Sequence, residues 1–244
     1  MVIVEDQIHS SLSKIIKKGK QVAVIPVGSV EQHGPHLPVS TDSDIVTDIA
    51  KKLSKKMDFL LLPTITFGVS FEHAPFFNLS IKPLTLQKLL SELCLSLSSN
   101  GIRTVFVING HYGNKKALRG VSKRVNTLSK GNMRVFVLSY WNFMKQHFDH
   151  AGYVETSLML AVSNKVKMRL AKKGLIIDGL TNKEISKIKK LASISFPKAT
   201  KNGVWGDPTR SSKEEGVKMI TEIIKNLEEK CQTCLTDKNP KLHQ

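Results

Sequence analysis

The sequence predicts an α/β fold, a three-layer α/β/α sandwich on a mainly parallel sheet, and three observations lead there. Continuous β-branched runs such as QVAVIPV (21–27) and TVFVIN (104–109) suit strands buried on both faces. They alternate with segments whose apolar residues recur at helical spacing. Polar, histidine-bearing clusters follow the carboxyl ends of the strands, where open α/β sheets build their sites.

The first strand, 21–27, ends in Gly28 and leads to a helix over 44–56, where Ile45, Val46, Ile49, Ala50 and Leu53 share one face. FLLLPTITFG (59–68) is the next strand, with Pro63 as an interruption. Leu86, Leu89, Leu90, Leu93 and Leu97 form a helical stripe that stops at Asn100-Gly101, a C-cap pair. TVFVIN and RVFVLSY (134–140) are two more strands, joined by the helix-like NKKALRGVSKRVNTL. Val217, Ile220, Ile223, Ile224 and Leu227 mark a last amphipathic helix.

With 244 residues, 41% hydrophobic and 23% charged, the chain suits one domain over 1–244. It has no apolar run of about 18 residues, the length of a membrane span. Its start, MVIVEDQIHSS, lacks the basic-then-apolar layout of a secretory signal, so a cytoplasmic location is expected. Three cysteines make no disulfide framework, and the lone CQTC at 231–234 is a weak zinc signal. The net charge of +17 is compatible with nucleic acid, anionic substrates or a lysine-rich surface. Without interleaved aromatics or a recognisable module, nucleic-acid binding is not the expectation. GSVEQHG after the first strand also differs from the Gly-rich turn of a dinucleotide site.

Chemistry concentrates in VGSVEQHGPHLPVSTDSD (27–44). Glu31 and His33, one residue apart, point to the same side of an extended segment, and Asp42 ends a loop able to turn back toward them. Mixed carboxylate and imidazole donors suit Zn²⁺, Mn²⁺ or Fe²⁺. A carboxylate bridging two ions would place them about 3.5–4 Å apart, and Asp42 is the candidate bridge. The competing reading is a polar loop in which Ser40 or Asp42 caps the next helix. His36 stands close enough to contact substrate or to support a ligand. In NGHYGN (109–114), His111 would lie at the sheet rim. Asp149 beside His150 suggests a carboxylate-supported imidazole that moves a proton to a leaving nitrogen. Glu155 opens an apolar helix, either as a metal candidate or as an acid stabilised by the helix dipole. The VSFEHA and GHYGN loops offer Ser70, Glu72, His73 and Tyr112 as candidate substrate contacts.

VGSVEQHGPHLPVSTD, NGHYGN, DHAGYVETS and GVWGDPTRSSKEEG (203–216), in this order, resemble the creatininase family of metal-dependent amidohydrolases. The resemblance implies a three-layer α/β/α fold, two divalent ions, hydrolysis of non-peptide C–N bonds and a homo-oligomer. Carried over by motif, Glu31 and His111 would bind one ion and His33 the other, with Asp42 bridging and His150 transferring a proton. Trp141 matches one aromatic of the creatinine pocket. Two departures follow. Creatininase has a glutamate ligand where this chain has Gly113, so Glu155 is carried as the substitute. The tryptophan that lids creatinine has Gln146 in its place, which argues against creatinine as substrate. FGVSFEHAPFFNLSI looks most like the archaeal branch that removes formate from a ribosylaminopyrimidine monophosphate in flavin and deazaflavin biosynthesis. A phosphorylated small molecule would fit a basic protein. A peptide-maturing branch and creatinine hydrolysis are the alternatives.

Overall fold

The computed structural model describes residues 1–237, so the end of the expected domain, 238–244, lies outside the described residues. Five strands form one sheet: β1 (Val2–Ile3), β2 (Val22–Val27), β3 (Leu60–Leu61), β4 (Thr104–Asn109) and β5 (Arg134–Ser139). Their order is β1-β3-β2-β4-β5, and every ladder is parallel. The central pair β2 and β4 runs in register from Val22↔Thr104 to Val27↔Asn109. Both strands are apolar along their length because helices cover both faces.

One face is covered by α2 (Thr41–Met57), α6 (Tyr153–Val162) and α9 (Lys213–Thr236), which close a core containing Ile45, Ile49, Leu53, Leu158, Ile223 and Leu227. The other is covered by α3 (Pro83–Ser99) and α5 (Val121–Leu128), around Leu86, Leu90, Val121 and Val125, with α1 (His9–Lys17) packed at its margin. The remaining helices are α4 (Lys115–Leu118), α7 (Asn182–Ala192) and α8 (Phe196–Thr200). Two buried clusters separated by a sheet are the three expected layers. Cys231 and Cys234 lie in the first of them, buried on α9, which gives the CQTC pair a packing role. Among the described residues no helix is long and apolar enough to cross a membrane.

Three expected elements come out differently. The strand expected over 59–68 shrinks to Leu60–Leu61, and beyond Pro63 it keeps only isolated bridges, Val27↔Ile65 and Gly68↔Ser80. This also accounts for a proline in a central strand. Pro26 accepts from the Ile65 amide, so its missing N–H faces the side where the β3 ladder has already ended. The helix expected over 114–128 breaks at Arg119-Gly120, where Gly120 is left-handed at φ 88°. The helix expected from residue 44 begins at Thr41, so Asp42 lies in its first turn instead of in the loop. The fold thereby fixes Asp42 on a rigid element.

Candidate metal centre

Four strand ends deliver the site. Glu31, His33 and Asp42 follow β2, His73 follows β3, His111 follows β4, and His150 and Glu155 follow β5. All of these are buried except His150, which is partly so. His33 Nε2 stands 3.3 Å from Asp42 Oδ1 and 3.5 Å from Glu155 Oε2. His111 Nδ1 stands 3.1 Å from Asp42 Oδ2, and its Nε2 is 3.2 Å from Glu31 Oε2. Three donor groups result, each with its ligand atoms within 4.8 Å of one another: Glu31–Asp42–His111, His33–Asp42–Glu155 and Glu31–His33–His150. Asp42 belongs to the first two.

Backbone carbonyls fix which ring nitrogen faces inward. His33 Nδ1 pairs with Glu31 O at 3.0 Å, which leaves Nε2 toward the carboxylates. His111 Nε2 pairs with Val69 O at 2.8 Å and also borders Glu31 Oε2 at 3.2 Å, while Nδ1 faces Asp42 at 3.1 Å. A backbone acceptor on one nitrogen sets the tautomer that leaves the other as a donor atom for metal. Glu155 is held by the Ala151 amide, which donates to Oε2 at 2.7 Å.

The residues fit a divalent cation. Both Glu31 carboxylate oxygens, His33 Nε2, Asp42 Oδ2 and Glu155 Oε1 are buried without a hydrogen bond of proper geometry. Buried polar groups are nearly always paired, and a buried charge costs several kcal/mol unless paired or bound to metal. The mixed oxygen and nitrogen donors suit Mn²⁺, Zn²⁺ or Fe²⁺.

The electrostatics point the same way. Burial drives the Glu31 carboxyl up to about 7 against the pull of His111, and Glu155 up to about 8 against His33. Burial alone would lower His33 and His111. The carboxylates outweigh it and hold both at about 10, Asp42 and Glu155 acting on His33, Glu31 and Asp42 on His111. Burial would raise Asp42, yet the two imidazoles hold it well below the usual carboxylate range. At neutral pH His33, His111 and Glu155 therefore carry protons that a metal must displace, while Asp42 is ionised. Binding is expected to release roughly two or more protons per chain at pH 7 and to tighten as pH rises. Calorimetric titration with Mn²⁺ in buffers of different ionisation enthalpy checks this; no proton release would contradict it.

The other candidates occupy varied positions. His150 Nδ1 faces inward, 4.0 Å from Glu31 Oε1 and 3.9 Å from Glu155 Oε2, and its Nε2 meets Gln32 O at 3.1 Å. Among the described residues no ion pair joins Asp149 to His150. Asp149 accepts instead from the Val154 and Glu155 amides at 2.9 and 3.2 Å, so it caps the start of α6 and sets the path to Glu155. His36 is buried, its Nε2 2.8 Å from Thr156 Oγ1 on α6, and His73 is buried with Nε2 3.2 Å from Glu31 Oε1. Ser70 is buried with an unpartnered hydroxyl, while Glu72 lies partly exposed beside the Gly113 backbone. Tyr112 is exposed and stands 6.0 Å from the buried Trp141 ring.

Several neighbours had no place in the sequence reading. Gln32 touches both His73 and His150. Phe196 packs on the same two rings at 4.6 and 4.7 Å, and Trp205 bridges to His150 through the backbone. Phe196 opens α8, just after α7, whose start is held by a capping box between Thr181 and Glu184.

Gly113 has no room for a side chain. A Cβ there would stand 2.2 Å from Val69 O and 2.4 Å from His111 Nε2. This backbone therefore excludes a glutamate ligand at 113, and Glu155 stands at the second donor group instead. Gly113→Ala is expected to displace His111 and to weaken Mn²⁺ affinity by about 10–100-fold, the usual cost of disturbing a ligand's support. Unchanged affinity in a Mn²⁺ titration would contradict that packing.

A parallel α/β/α sandwich with carboxylate and imidazole donors at its strand ends is the layout of a metal-dependent amidohydrolase. The family model for creatininase, creatinine amidohydrolase, matches residues 9–231, and the chain belongs to that family. It is 31% identical over 217 residues to the mycofactocin precursor peptide peptidase of Mycobacterium ulcerans (strain Agy99), covering 82% of this chain and 80% of that protein. It is 28% identical over 173 residues to the creatinine amidohydrolase of Pseudomonas putida, covering 60% and 66%. A crystal structure of creatinine amidohydrolase superposes with a TM-score of 0.81 at 20% identity, covering 97% of this chain and 98% of that one. A manganese form of creatininase gives 0.80 at 21% identity, covering 97% and 99%. The expected closeness to the deformylase branch is weaker than the peptidase match. The formylaminopyrimidine nucleotide deformylase of Methanothermus fervidus (strain ATCC 43054 / DSM 2088 / JCM 10308 / V24 S) is 27% identical over 146 residues, covering 59% of this chain and 57% of that protein.

Proposed function

We propose that this chain is a two-ion amidohydrolase whose substrate is an amide within a peptide. The observation that carries the two-ion reading is Asp42, the carboxylate shared by the Glu31–Asp42–His111 and His33–Asp42–Glu155 groups. Divalent ions bound there would supply Lewis acidity toward an amide carbonyl and an activated water. Glu31 and His111 would hold one ion, His33 and Glu155 the other, with Asp42 between them. His150 carries protons at Nδ1, the nitrogen that faces the centre, while Gln32 O anchors its far side. Burial, with His33 and His73, keeps this imidazole well below its usual pKa, so it is neutral and able to accept a proton before donating it to a departing amine.

The peptide reading draws on the peptidase relatives and on the exposed Phe71 and Phe77, which flank His73 along the chain. Exposed aromatic rings suit an extended apolar substrate more than a small polar one. A second reading, removal of formate from a phosphorylated aminopyrimidine, is favoured by Lys115, whose ammonium lies 4.7 Å over the Tyr112 ring beside His111. Assembly of several copies, measurable by light scattering, belongs to either reading.

The test incubates Mn²⁺-loaded protein with short peptides of apolar C-terminal sequence, with the formylaminopyrimidine nucleotide and with creatinine. Mass spectrometry follows peptide cleavage and a coupled assay follows formate. Peptide cleavage is the expected outcome. Formate release alone selects the second reading, and turnover of creatinine alone contradicts both.

A further inference from the structure

Gln32 stands between Glu31 and His33, and its side chain turns toward His73 and His150 at the edge of the centre. Its amide orientation is determined. The Gly34 N–H lies 2.9 Å from Oε1, and only an oxygen can accept that proton, so the Nε2 amino group faces the opposite way. There it meets His73 Nδ1 at 2.9 Å; His150 Nε2, 3.1 Å away, is taken up by the Gln32 backbone carbonyl at 3.1 Å. The position is built for this group. Gly203, at φ 76°, leaves space that a Cβ would take, since it would stand 1.9 Å from Gln32 Oε1. Gln32 also donates its own backbone N–H to Phe77 O at 2.8 Å.

An amino group can only donate, so His73 Nδ1 must accept, and the imidazole proton sits on Nε2. That nitrogen approaches Glu31 Oε1 at 3.2 Å, a close contact that falls short of a well-formed hydrogen bond before an ion is bound. A protonated ring nitrogen cannot ligate a metal; what it can do is present its N–H to a ligating carboxylate. Phe196 stacks on the ring at 4.6 Å and holds its plane, and His73 is only 2% exposed, which leaves it little contact with any substrate.

We propose that Gln32 and His73 are a positioning pair for Glu31. Gly34 N–H orients the Gln32 amide, the amide selects the His73 tautomer, and His73 Nε2–H orients Glu31 for the ion shared with Asp42 and His111. The inference rests on the two-ion reading above. It gives His73 a role distinct from substrate contact, and it gives the glutamine between two ligands a chemical reason. A hydrophobic residue at 32 would leave His73 free to take the other tautomer and turn a lone pair on Glu31.

The test is Mn²⁺ binding to the full chain, followed by competition with a fluorescent chelator and resolved into two steps. Gln32→Leu and His73→Phe are each expected to weaken one step by about 10–100-fold, the range for losing an outer partner of a ligand. The weakened step is the one that survives Glu155→Gln, and the other step stays unchanged. The Gln32→Leu/His73→Phe double variant is expected to lose no more than either single one, because the two act in series. His73→Gln keeps an N–H near the Nε2 position and is expected to recover most of the affinity, which a purely packing role would not produce. Equal weakening of both steps, or no weakening of either, overturns the inference while leaving the two-ion reading standing. Wild-type protein that takes up no Mn²⁺ overturns that reading, and the inference with it.

Discussion

Asp42→Asn is expected to abolish hydrolysis and to empty both ion positions at once. The residue belongs to two donor groups, with Oδ1 3.3 Å from His33 and Oδ2 3.1 Å from His111. The substitution keeps shape and removes the charge that holds both imidazoles in place. Two ions held there would each contribute several kcal/mol of transition-state stabilisation, so the rate should fall by about 10³-fold or more. The substitution also has a cost to folding, because Asp42 is buried against His33 and His111, and losing one partner of a buried pair costs several kcal/mol. Steady-state kinetics, metal analysis and a thermal melt on one preparation separate the two effects. An active variant with full metal content would remove Asp42 from the bridge.

Glu155→Gln is the second large effect, and it bears on the departure at Gly113. Gln keeps an oxygen to accept the Ala151 N–H, the contact that now holds Oε2 at 2.7 Å. The helix and its packing should therefore survive. What is lost is the only carboxylate that the His33–Asp42–Glu155 group does not share with another group. The expected result is one tightly bound ion in place of two and a rate lower by about 10²-fold or more, since a single ion gives up part of the charge stabilisation. Two ions retained with wild-type activity would mean that another group completes the second position.

Much of this centre was legible in the sequence because it depends on local geometry. Glu31 and His33 alternate correctly in an extended segment, and parallel strands bring every loop after a carboxyl end to one rim. The layers were legible for the same reason: the runs at 21–27, 104–109 and 134–140 are too apolar to face water on either side. What failed depended on contacts distant in the chain. Asp149 looked like a partner for its neighbour His150, but the amides of Val154 and Glu155 claim its carboxylate once α6 forms. The strand over 59–68, expected to be interrupted at Pro63, is shorter than its composition suggests and leaves only Leu60–Leu61 in the ladder. Phe196 reaches His73 and His150 from a stretch that reads as lysine-rich surface, and no periodicity marks it. Gln32 was equally hidden, because its side-chain role depends on His73 and His150. Its partners lie 41 and 118 positions away.

The central claim is that Asp42 joins two ions and that Glu155 completes the second. Anomalous diffraction from crystals of the Mn²⁺-loaded protein tests it most directly. Two peaks roughly 3.5–4 Å apart are expected, as in other two-metal sites, both bonded to Asp42, one also to Glu31 and His111 and the other to His33 and Glu155. A single peak, or a second peak with Glu155 outside its coordination shell, would contradict it.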